Sequence, residues 1–129
     1  GKTQRIIVMK DNKIVDIEID EGSAQVQFDK AAAKDKYTAG DDVKLGNYTW
    51  KTLNFTWNKQ PSVVLYADIA EGLYAEVTLY ETTLEDAAVT AFLEGVEFAT
   101  DYDAAHKAGM DTTVEKFAAD NNLKLWEAK

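Results

Sequence analysis

Three segments rich in β-branched and aromatic residues, 48–57, 62–69 and 73–80, follow one another with only short gaps between them. The gaps are Asn58-Lys59-Gln60-Pro61 and Ala70-Glu71-Gly72, residue types that tolerate tight turns. Links this short join antiparallel neighbours, because a parallel return needs a crossover of about a dozen residues or more. The middle of the chain therefore predicts an antiparallel meander, and the rest must pack against it. Pro61, the only proline, is placed in the first turn, where its missing N–H does no harm.

The flanks extend this plan. Residues 5–10 and 14–20 read as two strands around Asp11-Asn12-Lys13, with Val15, Ile17 and Ile19 alternating against Asp16, Glu18 and Asp20. A third short strand is expected over 24–28, carrying Ala24, Val26 and Phe28 on one face, and then a short helix over 30–37 that ends by Gly40. After Tyr80 the period becomes helical. Thr83, Glu85 and Asp86 open a helix whose apolar side holds Leu84, Ala87, Ala88, Ala91 and Phe92, and Gly95 stops it. A short strand over 96–98, a weak helix from Asp101 through Lys107 and a helix from Asp111 or Thr112 to Asp120 follow, and a strand over 123–126 closes the chain. The prediction is an α+β fold: a mainly antiparallel sheet of about five to seven strands with helices packed on it, as an α/β/α sandwich. At 129 residues the whole chain, 1–129, makes a single domain.

The two sides of the central strands differ. Odd positions, Leu53, Phe55, Trp57, Val63, Leu65, Ile69, Leu73, Val77 and Leu79, read as one core face. Even positions carry Tyr48, Trp50, Tyr66, Tyr74 and Tyr80, which are the candidate binding residues. Either helices cover this second face, or it is an open platform of rings suited to sugars or a peptide. Exposure of those rings separates the two.

Acids number 23 against 14 bases, a net charge of −9, which argues against nucleic acid as a partner. No apolar run is long enough for this domain to insert in a membrane. The charge is uneven, with no base and ten acids between Lys59 and Lys107. That block is either a solvated surface or an electronegative patch for a cation or a basic partner. There is no cysteine, no phosphate loop and no dinucleotide fingerprint, so no cofactor is expected. Asp101, Asp103 and His106, with Asp111 nearby, are the only residues with a look of metal ligation, and helix capping accounts for two of them without a metal.

The stretch from Asn47 to Phe98 resembles the closing half of the Mog1/PsbP-like family of small α/β/α sandwiches. The residues that carry it are Trp57, Val63 to Tyr66, Val77 to Tyr80, Thr83 to Ala87 and Leu93 to Phe98. The resemblance implies a non-catalytic accessory or binding domain, often exported or lipid-anchored in bacteria, and it transfers no functional residue. The expectation is therefore a non-enzymatic module whose partner is a protein or a glycan. The amino terminus, a glycine with no initiator methionine and no signal-type apolar region, suggests that something before it was removed; if that was a signal peptide or lipid anchor, the domain is expected outside the cytoplasm. Two alternatives stand beside this: an acidic inhibitor that occupies a basic groove, and a small metal-dependent enzyme centred on Asp101, Asp103 and His106.

Overall fold

A computed structural model of the chain describes residues 3–98, 100 and 112–126. In chain order the elements are β1 (Thr3–Val8), β2 (Ile14–Glu21), α1 (Ala24–Ala32), β3 (Thr38–Ala39), β4 (Val43–Leu45), β5 (Tyr48–Trp57), β6 (Gln60–Ala70), β7 (Leu73–Tyr80), α2 (Ala87–Gly95), α3 (Thr112–Asp120) and β8 (Lys124–Trp126). The strands form one antiparallel sheet in the order β3-β5-β6-β7-β2-β1-β8, and β4 pairs with a separate stretch of β5. The α+β fold expected from the sequence is the one observed. Helices lie on both faces. Val89, Phe92 and Leu93 of α2 and Val114 of α3 bury against Ile7, Ile17, Leu65, Val77 and Leu79, while Ala24, Phe28 and Ala31 of α1 pack on Leu53, Val64, Tyr66 and Tyr74.

The strand expected over 24–28 is instead the first part of α1. Ser23 accepts a hydrogen bond from the Val26 N–H at 3.5 Å, and the Asp68 carboxylate accepts one from the Ala24 N–H at 2.9 Å. These satisfy donors that a helix start leaves open. Burial then follows the helical period, through Ala24, Phe28 and Ala31, and Val26 is left 48% exposed. The alternation that suggested a strand was a short-window coincidence. The helix expected over 30–37 is correspondingly only the end of α1, which stops at Ala32, and Thr38–Ala39 pairs with β5. Residues 96–98 do not form the expected strand, although the Phe98 N–H donates to the Tyr48 hydroxyl at 2.9 Å. The expected helix from Asp101 through Lys107 lies outside the described residues.

The single core face read across odd positions holds for β6 and β7 and fails for β5. Asn58 and Lys59 both have positive φ, 49° and 64°, and make a two-residue hairpin in which Trp57 pairs with Gln60. Such a hairpin sets odd residues opposite even ones, so Leu53 faces the same side as Val64, and Thr52 the same side as Leu65. Between β6 and β7 the turn is equally short, but a bulge between Asp68 and Ala70 shifts the register by one, and Val63 opposes Leu79. Leu53 and Phe55 therefore belong to the α1 side, and Trp57 is not core at all. Pro61 sits in β6 opposite Thr56, not in the turn, and its ring is exposed.

Asp86, rather than Thr83, caps α2. Its carboxylate accepts from the Ala88 N–H at 3.0 Å and from the Thr82 hydroxyl at 3.0 Å, with the Lys13 ammonium 3.6 Å away. Burial works against its charge, but the Thr82 hydroxyl, the Ala88 and Val89 N–H groups and Lys13 outweigh it and hold the carboxyl below the usual range. A depressed folded pKa stabilises above the unfolded value near ~3.9, and that gain is lost as pH falls through the folded value. Asp86→Ala is expected to lower stability by about 1–2 kcal/mol at neutral pH, and urea titrations should show the gap to the parent protein shrinking below about pH 4.

Candidate functional site

α1 covers only part of its side of the sheet. Its first residue is tied to Asp68 near the far end of β6, and the chain leaves its last turn to lay Tyr37 against Phe55. Beyond that point the sheet opens into a pocket of about 320 Å³. Rings dominate its walls: Tyr37 from the segment after α1, Phe55 and Trp57 from β5, Tyr66 from β6 and Tyr80 from β7. They meet edge to face, with Tyr37 and Phe55 centroids 5.5 Å apart, Phe55 and Tyr80 6.0 Å, and Trp57 and Tyr80 5.1 Å. Interlocked edges of this kind fix the rings without filling the space between them. Trp57, at the hairpin end, is 48% exposed.

The polar groups are few. Glu76 opposes Tyr66 across the β6–β7 pair and accepts a hydrogen bond from the Tyr66 hydroxyl, Thr78 lies one position further along that face, and Lys36 stands at the rim. Register brings more acid alongside. Glu18 of β2 sits opposite Glu76, Asp16 opposite Thr78, and Asp20 opposite Tyr74. Burial, followed by the Glu76 carboxylate, raises the Tyr66 phenol above its ordinary value. Burial raises Tyr80 as well, with Asp16, Tyr37, Glu18 and Glu76 adding to it. Tyr74 is pushed up to about 12 by burial and then by Asp20, Glu76 and Glu18. All three phenols thus stay neutral through the physiological range.

The five aromatic residues singled out from the sequence do not share a face. Tyr66 and Tyr80 line the pocket. Tyr74 is buried beside Gly22, at the other end of α1. Tyr48 and Trp50 lie on the opposite side of the sheet, in edge-on and tilted contact with Phe98, and Trp50 is fully buried. One continuous open platform is therefore not what these rings form, because the Asn58–Lys59 hairpin separates the parities of β5 and β6. Asp101, Asp103, His106 and Asp111 lie outside the described residues. Among the described residues no group of three or more His, Cys, Asp or Glu side chains is placed to hold a metal ion. Within the acidic central block, Asp68 serves α1, Asp86 serves α2, and Glu76 belongs to the pocket, while Asp101 and Asp103 lie outside the described residues.

Tyr37, Phe55, Trp57 and Glu76 are pocket residues that the sequence reading missed. Parity alone assigns Phe55 and Trp57 of β5 to the core. A two-residue turn at Asn58-Lys59, read strictly, would have moved them to the ring-bearing side. No family model matches this chain, and no curated protein or solved structure shows significant similarity to it.

Proposed function

We propose that the protein is a non-enzymatic binding module that takes a small organic group into the pocket between Tyr37, Phe55, Trp57, Tyr66 and Tyr80. The observation that carries this reading is the half-exposed indole of Trp57 standing against Tyr80 at the mouth of a ring-walled cavity. Trp57 and Val26 are the exposed large hydrophobics among the described residues, and Trp57 is set apart by its contact with Tyr80 and its place in the ring-walled lining. A pocket of this size and lining belongs at the lower end of small-ligand sites. The phenols support the non-enzymatic side of this reading. Groups raised above their ordinary pKa make poor bases at neutral pH, and Glu76 is engaged by Tyr66. The resemblance of residues 47–98 to non-catalytic accessory domains points the same way, as does its implication of an exported or lipid-anchored setting.

The test is a ligand screen by two-dimensional NMR, following the Trp57 indole N–H against a panel of small sugars, amines and neutral ring compounds. Compounds that shift this resonance should bind Trp57→Ala at least about tenfold more weakly. The same variant should keep its urea midpoint to within about 0.5 kcal/mol, as expected for an exposed side chain. A panel that leaves the indole resonance unmoved, or binding that survives Trp57→Ala intact, overturns the proposal.

A further inference from the structure

Within that pocket reading, we infer that the ligand is an organic cation, an alkylated or methylated ammonium whose charge is held by the ring faces and by Glu76. The geometry carries the argument. The pocket lining holds five aromatic residues and a single carboxylate-bearing one, Glu76, which also accepts from the Tyr66 hydroxyl. A ring face is electron-rich, so a cage of them attracts a cation and has no comparable attraction for a neutral group of the same shape. Alkyl substituents on the ammonium suit this cage, since they lower hydration and give the rings an apolar surface to touch.

The surroundings agree in sign. Asp16, Glu18 and Asp20 of β2 run beside the pocket on the same side of the sheet as Glu76. Lys51 is ion-paired with Asp42 at 3.5 Å and lies 5.4 Å from the Phe28 ring, away from the pocket lining. Lys36 is the one base in the lining, and its Nζ lies 4.9 Å from the centroid of Tyr37. One of the five rings, Tyr37, therefore already takes up a cation, supplied by the chain itself, at the rim. The elevated phenols of Tyr66 and Tyr80, after burial, also reflect neighbouring negative charge, which favours a positively charged guest.

Choline, its neutral isostere 3,3-dimethylbutan-1-ol and methyl glucoside are the probes, titrated against the intact protein with the Trp57 indole N–H as the readout. Choline should bind at least about tenfold more tightly than the isostere, the advantage a ring-held charge gives in a desolvated site. Glu76→Gln should remove most of that ratio. Lys36→Gln, an exposed substitution that leaves the fold alone, should tighten choline binding a few-fold by removing a competing cation. Equal binding of choline and its isostere, or weaker choline binding in Lys36→Gln, overturns the inference. Preferential binding of methyl glucoside or of the isostere also overturns it, while leaving the pocket reading intact. Failure of the whole panel in the wider screen sinks both.

Discussion

Trp50→Ala should lower the unfolding free energy by about 3–5 kcal/mol, the range for deleting a large aromatic from a core. Among the described residues Trp50 is the largest fully buried side chain, packed with Leu45, Tyr48 and Phe98 on the α2 side of the sheet. Against a total stability of roughly 5–15 kcal/mol, a loss of this size leaves the domain near its threshold. The smaller change Trp50→Phe should cost less than half as much. Among the described residues the buried indole Nε1 has no hydrogen-bond partner, so phenylalanine gives up ring volume without breaking a hydrogen bond to any of them. Urea titrations of both variants check this, with Trp57→Ala as the exposed control. A Trp50→Ala protein as stable as the parent would mean that this tryptophan is displayed rather than enclosed, and the sheet faces assigned above would be inverted.

That inversion is where sequence reading and structure part. The long strands were legible because their composition, length and turn residues agreed: 48–57 and 73–80 coincide with β5 and β7, and 62–69 lies inside β6. Burial in β2 was legible too, since strict alternation over Ile14–Glu21 leaves one assignment. What alternation cannot show is which parity faces which way in the next strand. That depends on whether a turn holds two residues and whether a bulge intervenes. Asn58-Lys59-Gln60-Pro61 looked like a four-residue link, and the bulge near Ile69 has no marker such as glycine. One miscounted turn moved Phe55 and Trp57 out of the ring-bearing face and Trp50 into it. α1 was missed for a different reason. Its stability comes from the Ser23 cap and from the long-range bond to Asp68, and only the first of these is local. The candidate site needed both corrections: the pocket exists because α1 stops at Ala32, and because β5 turns its odd residues toward it.

Gly46→Ala is the second substitution with a large expected effect, about 2–4 kcal/mol of destabilisation. Gly46 links β4 to β5 with φ of +61°, in the left-handed region that disfavours a Cβ. Conformation is the smaller part. A Cβ at this position would fall 2.4 Å from the Glu94 carbonyl oxygen and 3.2 Å from that of Leu93. Both belong to the last turn of α2, where backbone cannot rotate away as a side chain can. Either the β4–β5 turn lifts off the helix or α2 shifts on the core formed by Val89, Phe92 and Leu93. Gly72 supplies the control. Its φ is +73°, yet nothing lies within 4 Å of an added Cβ, so Gly72→Ala carries only the backbone cost of about 1 kcal/mol. Paired urea titrations of the two variants isolate the steric part as their difference. Equal losses would mean that α2 is not seated against the β4–β5 turn. A larger loss at Gly46 would show that the β4–β5 turn is seated directly against the backbone of α2.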